Sequence, residues 1–177
     1  YQELLDKLQS RGLIYPCFCT RAQLHAATAP HASDGEPVYD GRCRHLSAET
    51  VAEQMKSRTP ALRLRVPDET VSFSDGHYGL CRQHLAAECG DIIVRRADGV
   101  FAYQLAVVAD DAAMGVTQVV RGRDLLLSTP RQLYLFRLLG APPPSYFHLP
   151  LLLTSDGRRL SKRDRDLDLD ALRTRGY

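Results

Sequence analysis

Residues 116–120, Val-Thr-Gln-Val-Val, form a β-branched run that stops at Arg121-Gly122-Arg123-Asp124. Branched side chains pack best on a pleated surface, so this run is predicted to be a buried strand. Thr129-Pro130 then predicts a helix start, with Thr129 as the cap and Pro130 in the first turn. That helix runs to Gly140, and Pro142-Pro143-Pro144 stops it. Residues 148–153 predict a short apolar strand, closed by a turn at Thr154-Ser155-Asp156-Gly157. Strands alternating with helices point to an α/β domain with a largely parallel sheet.

The rest of the chain fits that class with one looser stretch. Leu4, Leu5 and Leu8 have helical spacing, closed by Gly12. Thr20 and Gln23 read as a capping box for a short helix to about residue 27. Residues 28–42 read as loop, and Ser47 as the cap of a helix over 48–57. Leu62, Leu64 and Val66 alternate with arginines, as a half-buried strand does. Val71 and Phe73 mark a second strand, ended by Ser74-Asp75-Gly76, and Asp91 to Arg96 a third. Over 101–113 the apolar face favours a helix, because Asp110 and Asp111 then fall near its polar end; a strand is the alternative. The pattern is loosest between residues 15 and 90, which predicts an insertion.

With 177 residues and a net charge of +2, the chain can bury a core but carries no strongly basic face. No window holds the roughly 18 apolar residues of a membrane span. The start, Tyr1-Gln2-Glu3, reads as amphipathic helix rather than a secretion signal. Five cysteines, an odd number, suggest reduced thiols and a cytoplasmic setting.

Cys17, Cys19 and Cys43 can give three thiolates to one tetrahedral zinc ion. On spacing alone the fourth ligand stays open among Tyr39, His25, His31 and His45, and two ordinary cysteines near a helix start are the alternative. Cys81 and Cys89 read as small buried or half-buried residues. Arg121 stands at a strand end, where α/β sheets place ligand contacts, and its fork suits a carboxylate. A salt bridge to Asp124 or Asp110 is the other reading. Tyr103 reads equally as a ligand contact or a core aromatic. The Arg158-Arg159-Leu160-Ser161-Lys162-Arg163 loop offers cations to phosphates, although the aspartates after it nearly cancel its charge.

Taken in order, residues 101–111, 115–124, 128–132, 148–150 and 159–163 resemble the catalytic core of class I glutamyl-tRNA synthetases. Two features bring the chain nearer to the branch that glutamylates queuosine in tRNA(Asp). One is the run Arg95-Arg96-Ala97-Asp98-Gly99-Val100-Phe101-Ala102-Tyr103-Gln104-Leu105. The other is Tyr15-Pro16-Cys17-Phe18-Cys19 with Tyr39 and Cys43. The resemblance implies the second half of a Rossmann-like catalytic domain with a zinc-bearing insertion. Its parts would be a core helix over 1–14, the insertion over 15–90, the rest of the core over 91–150, and the lysine loop with its continuation over 151–177.

The resemblance also assigns residues. Tyr103 and Arg121 match the glutamate-binding pair. Lys162 matches the catalytic, ATP-contacting lysine of the Lys-Met-Ser-Lys-Ser loop, with Arg159 and Ser161 beside it. Cys17, Cys19, Tyr39 and Cys43 match a structural zinc site. The implied substrates are glutamate, ATP with Mg²⁺ and queuosine-bearing tRNA(Asp), acted on by a cytoplasmic monomer with no membrane partner. The family's His-Ile-Gly-His-like half is not in this sequence, which puts half of the ATP site and part of the glutamate site outside it. A glutamyl-tRNA synthetase acting on tRNA(Glu), or a non-catalytic zinc-bearing RNA- or nucleotide-binding module, are the alternatives.

Overall fold

The computed structural model describes residues 1–26, 38–153, 157, 169–174 and 176. The predicted leucine stripe forms helix α1 (Gln2–Ser10), with Leu4, Leu5 and Leu8 buried. Gly12 ends it at φ 70°; its N–H reaches the Gln9 carbonyl, and that of Leu13 reaches Leu8. A left-handed residue closes a helix this way at least strain when it is glycine.

Strand β1 (Ile14–Cys17) follows. Helices α2 (Arg21–Ala26) and α3 (Ala48–Met55) come next. The capping box holds: Thr20 N–H donates to Gln23 Oε1 at 2.9 Å, and Gln23 N–H to Thr20 Oγ1 at 3.3 Å. Ser47 Oγ accepts from the Thr50 N–H as the predicted cap of α3. Strands β2 (Ala61–Leu64) and β5 (Ile92–Arg95) complete a sheet in the order β1-β2-β5, antiparallel throughout.

A second sheet has the order β4-β3-β7-β6, from β3 (Thr70–Asp75), β4 (Gly79–His84), β6 (Gln118–Gly122) and β7 (Ser145–Leu149). Helix α5 (Thr129–Leu139) carries the chain from β6 to β7, so these two run parallel. A tight turn joins β3 to β4, which forces antiparallel pairing there. Parallel pairing is thus confined to β3–β7 and β6–β7 among the described residues, which is narrower than the largely parallel sheet expected. Strand β7 begins at once after Pro144 and ends at Leu149, because Pro150 has no N–H to continue the ladder. β6 lies at a sheet edge, and Val120 is exposed rather than buried as expected.

Helix α4 (Tyr103–Met114) settles the helix-or-strand question over 101–113. It buries Leu105 and Val108 and ends at the left-handed Gly115. Helix α6 (Leu169–Thr174) lies in the charged tail. Leu5, Leu64, Leu85, Val94, Leu105 and Leu135 all reach zero exposure in one core drawn from α1, both sheets' neighbourhoods, α4 and α5. Each such side chain contributes about 1.5–3 kcal/mol of burial. Cys89 is buried and Cys81 half-buried, as read from the sequence. Among the described residues no helix is long and apolar enough to cross a membrane.

Candidate functional site

The first candidate is the cysteine knuckle at the end of β1. Cys17, Cys19 and Cys43 bring their sulfurs within 4.8 Å of one another. Cys19 and Cys43 are 3.6 Å apart, and Tyr39 Oη lies 3.6 Å from Cys17 Sγ. A tetrahedral zinc with Zn–S bonds of about 2.3 Å spaces its sulfurs by about 3.8 Å, so this donor set fits one ion. Tyr39 is buried with the cysteines, and its phenol oxygen accepts from the Cys43 N–H at 2.9 Å. Gly90 makes room for it: a Cβ there would stand 2.8 Å from the Tyr39 carbonyl and 2.9 Å from its nitrogen.

Electrostatics around the knuckle are uneven. Burial opposes the Cys17 thiolate, but the Cys19 backbone, the Tyr39 phenol and Arg63 outweigh it and lower its pKa. Cys19 is pushed up to about 12 by burial and then by Cys17. Burial and the Cys17 hydrogen bond raise Tyr39. The Arg63 guanidinium lies over the Tyr39 ring at 3.7 Å and donates to the Asp91 carbonyl at 2.7 Å. Tyr15 donates to Asp91 Oδ2 at 2.6 Å, and the Val66 N–H to Asp91 Oδ1 at 2.8 Å. His45 is exposed and not in the cluster, while His31 and the His25 side chain lie outside the described residues.

The second candidate is Arg121, near the end of the parallel pair β6–β7. Register sets it opposite His148. Its Nε donates to His148 Nε2 at 2.9 Å, and its Nη2 to Thr129 Oγ1 at 2.8 Å and the Leu125 carbonyl at 3.2 Å. Thr129 therefore does not cap α5 as predicted; its hydroxyl is used on Arg121, and Ser128 stands at the N-cap. Beyond His148 lies Asp75, at the end of β3, with Oδ2 2.6 Å from His148 Nδ1. Burial opposes the Asp75 charge, but His148 and the backbone N–H groups of Tyr78 and His77 hold its pKa at about 2.

These three hydrogen bonds of Arg121 go to an imidazole nitrogen, a hydroxyl and a backbone carbonyl. Burial lowers its pKa, while Tyr146, Tyr103 and Asp111 favour its charged form. Tyr146 packs under it, with the guanidinium 5.1 Å from the ring centre, and burial raises the Tyr146 phenol to about 12. Asp110, one expected partner, accepts from Tyr1 Oη at 2.6 Å. Tyr103, the first residue of α4, is half-exposed beside this cation. Its neighbour Gln104 donates to Ser128 Oγ at 3.0 Å and accepts from the buried Gln132 at 2.9 Å.

Arg159, Ser161 and Lys162 lie outside the described residues. Sequence reading missed Asp75, Thr129 and His148 as a unit. Its one available sign was polar residues at the ends of apolar strands.

The whole chain, residues 1–177, matches the model of tRNA synthetases class I (E and Q), catalytic domain. It is 54% identical to the glutamyl-Q tRNA(Asp) synthetase of Nitratidesulfovibrio vulgaris, over 99% of this chain and 55% of that protein. It is 51% identical to the protein of the same name in Symbiobacterium thermophilum, over 99% of this chain and 55% of that one. The chain thus spans about half the length of the curated relatives it matches. A crystal structure of a glutamate tRNA ligase from Elizabethkingia meningosepticum in complex with its amino acid is similar in fold, with TM-score 0.73 and 26% identity. That similarity covers 96% of this chain and 36% of the ligase.

Proposed function

The chain belongs to the catalytic-domain family of class I tRNA synthetases (E and Q), and from that membership we propose that the protein activates glutamate with ATP and transfers it to queuosine in tRNA(Asp). The observation that carries the reading is Arg121: a half-buried cation at the sheet's end, its fork held on His148, Thr129 and Leu125 with Tyr103 beside it. The names of the relatives at 51–54% identity support the acceptor.

In this reading Arg121 and Tyr103 orient glutamate. Its α-carboxylate attacks the ATP α-phosphorus in line, the bond to the bridging oxygen breaks, and pyrophosphate leaves. Glutamyl-adenylate remains. A hydroxyl of the queuosine cyclopentenediol then attacks the acyl carbon, its proton is lost, and AMP leaves. Catalysis here is mainly positioning and charge stabilisation. Lys162, with Arg159 and Ser161, supplies cation and hydrogen-bond donors to the phosphates, together with Mg²⁺. Zinc on Cys17, Cys19, Tyr39 and Cys43 is structural. In this reading the insertion spans 15–90 and the rest of the core 91–150, and the protein works as a cytoplasmic monomer.

The solved glutamate tRNA ligases favour a second reading, charging of tRNA(Glu), at lower identity. Transfer of labelled glutamate by the full-length protein separates the two. Label is expected on queuosine-bearing tRNA(Asp) and absent from the same tRNA without queuosine. Lys162→Ala is expected to slow the reaction about a hundredfold, the usual cost of one preorganised donor. Label on tRNA(Glu) alone would overturn the reading.

A further inference from the structure

We infer that Asp75 and His148 are positioning residues for Arg121, a buried carboxylate–imidazole pair that fixes the guanidinium before substrate arrives. This rests on the proposed role of Arg121 in holding glutamate. A guanidinium has only N–H donors. Arg121 Nε, 2.9 Å from His148 Nε2, therefore requires a lone pair on that nitrogen. The imidazole proton then sits on Nδ1 and is donated to Asp75 Oδ2 at 2.6 Å. Asp75 is itself held by the turn after β3: its Oδ1 accepts from the N–H groups of His77 at 3.0 Å and Tyr78 at 2.9 Å. The chain of assignments runs one way. The turn fixes the carboxylate, the carboxylate fixes the tautomer, and the tautomer gives Arg121 its acceptor.

Burial shows that this arrangement is costly to build. His148 and Thr129 are 0% exposed and Asp75 is 4% exposed. A buried polar pair is poor stabilisation compared with an apolar one of equal volume. What an apolar pair could not do is present an acceptor to Arg121 Nε. With Nε on His148 and Nη2 on Thr129, the plane of the fork is set in advance. Its ordering need not be supplied from substrate binding.

The test is glutamate-dependent ATP–pyrophosphate exchange by the full-length protein and its variants. His148→Leu removes the acceptor. Asp75→Asn turns an amide N–H toward His148 Nδ1, drives the ring proton to Nε2, and opposes N–H to N–H at Arg121. Both are expected to raise KM for glutamate about tenfold, with KM for ATP changed by less than about twofold. His148→Gln, whose amide supplies both an acceptor and a donor, is expected to restore most of the glutamate affinity. In the unaltered ¹⁵N-labelled protein, His148 is expected as the Nδ1–H tautomer, a readout that holds even if a variant fails to fold. An Nε2–H tautomer, or unchanged glutamate KM in both folded variants while Arg121→Ala is impaired, would overturn the inference alone. Unchanged glutamate KM in Arg121→Ala would overturn the reading it rests on.

Discussion

Cys17, Cys19, Tyr39 and Cys43 come from one stretch of chain that starts at the last residue of β1, and sit in a small cluster with Tyr15. Asp75, Arg121, Thr129 and His148 come from β3, β6, α5 and β7; parallel register brings the three strands' residues together, and α5 adds Thr129. The first group has its chemistry in its spacing. The second has it in the sheet. The difference predicts that disrupting the local cysteine group leaves the arginine in place, whereas the arginine depends on the second sheet.

Metal removal is expected to have the largest effect. The purified protein should hold one zinc, and Cys43→Ser should lose it, as measured by metal analysis. A strong chelator should lower the melting temperature, because metal bound only in the folded state adds to folding stability. Below that new transition, glutamate should still bind at Arg121. Loss of glutamate binding at a temperature where the chelated protein is folded would break the separation of the two regions.

Acid should act on the Asp75–His148 pair next. Folding lowers the Asp75 pKa to about 2, below the unfolded value of about 3.9. The unfolded chain therefore binds more protons in this window, and the stabilisation is complete above about pH 4 and lost as pH falls towards 2. Its size is on the order of 2 kcal/mol. Denaturant unfolding of the parent and Asp75→Asn should converge in stability across that window. Parallel pH curves would contradict the assignment.

The smallest effect should come from Tyr15→Phe, beside the knuckle. It removes the 2.6 Å bond to Asp91 but leaves the Val66 N–H, with Arg44 Nε 3.6 Å from the same carboxylate. A loss of about 1 kcal/mol is expected in denaturant unfolding, with no change in zinc content.

Legibility in the sequence follows the same division. The caps at Gln23 and Ser47, the Gly12 and Gly140 endings and the leucine stripe of α1 are local, and all appear in the structure. So does the cysteine group, because its members are close in sequence. Strand β4 carries no clear sequence signal, since Leu80 and Arg82 give no apolar alternation and Leu80 is exposed. Pro130, a helix-start signal, points to Thr129 as a cap, and nothing nearby in sequence shows that Arg121 takes its hydroxyl. Asp75 and His148 are far apart in the chain, and only the β3–β7 pairing makes them partners.

The most direct test of the central claim is ATP–pyrophosphate exchange with glutamate by the full-length protein in the absence of tRNA. Exchange that requires glutamate and falls sharply in Arg121→Ala is the expected result. No exchange until tRNA(Glu) is added, or exchange indifferent to Arg121, would contradict it.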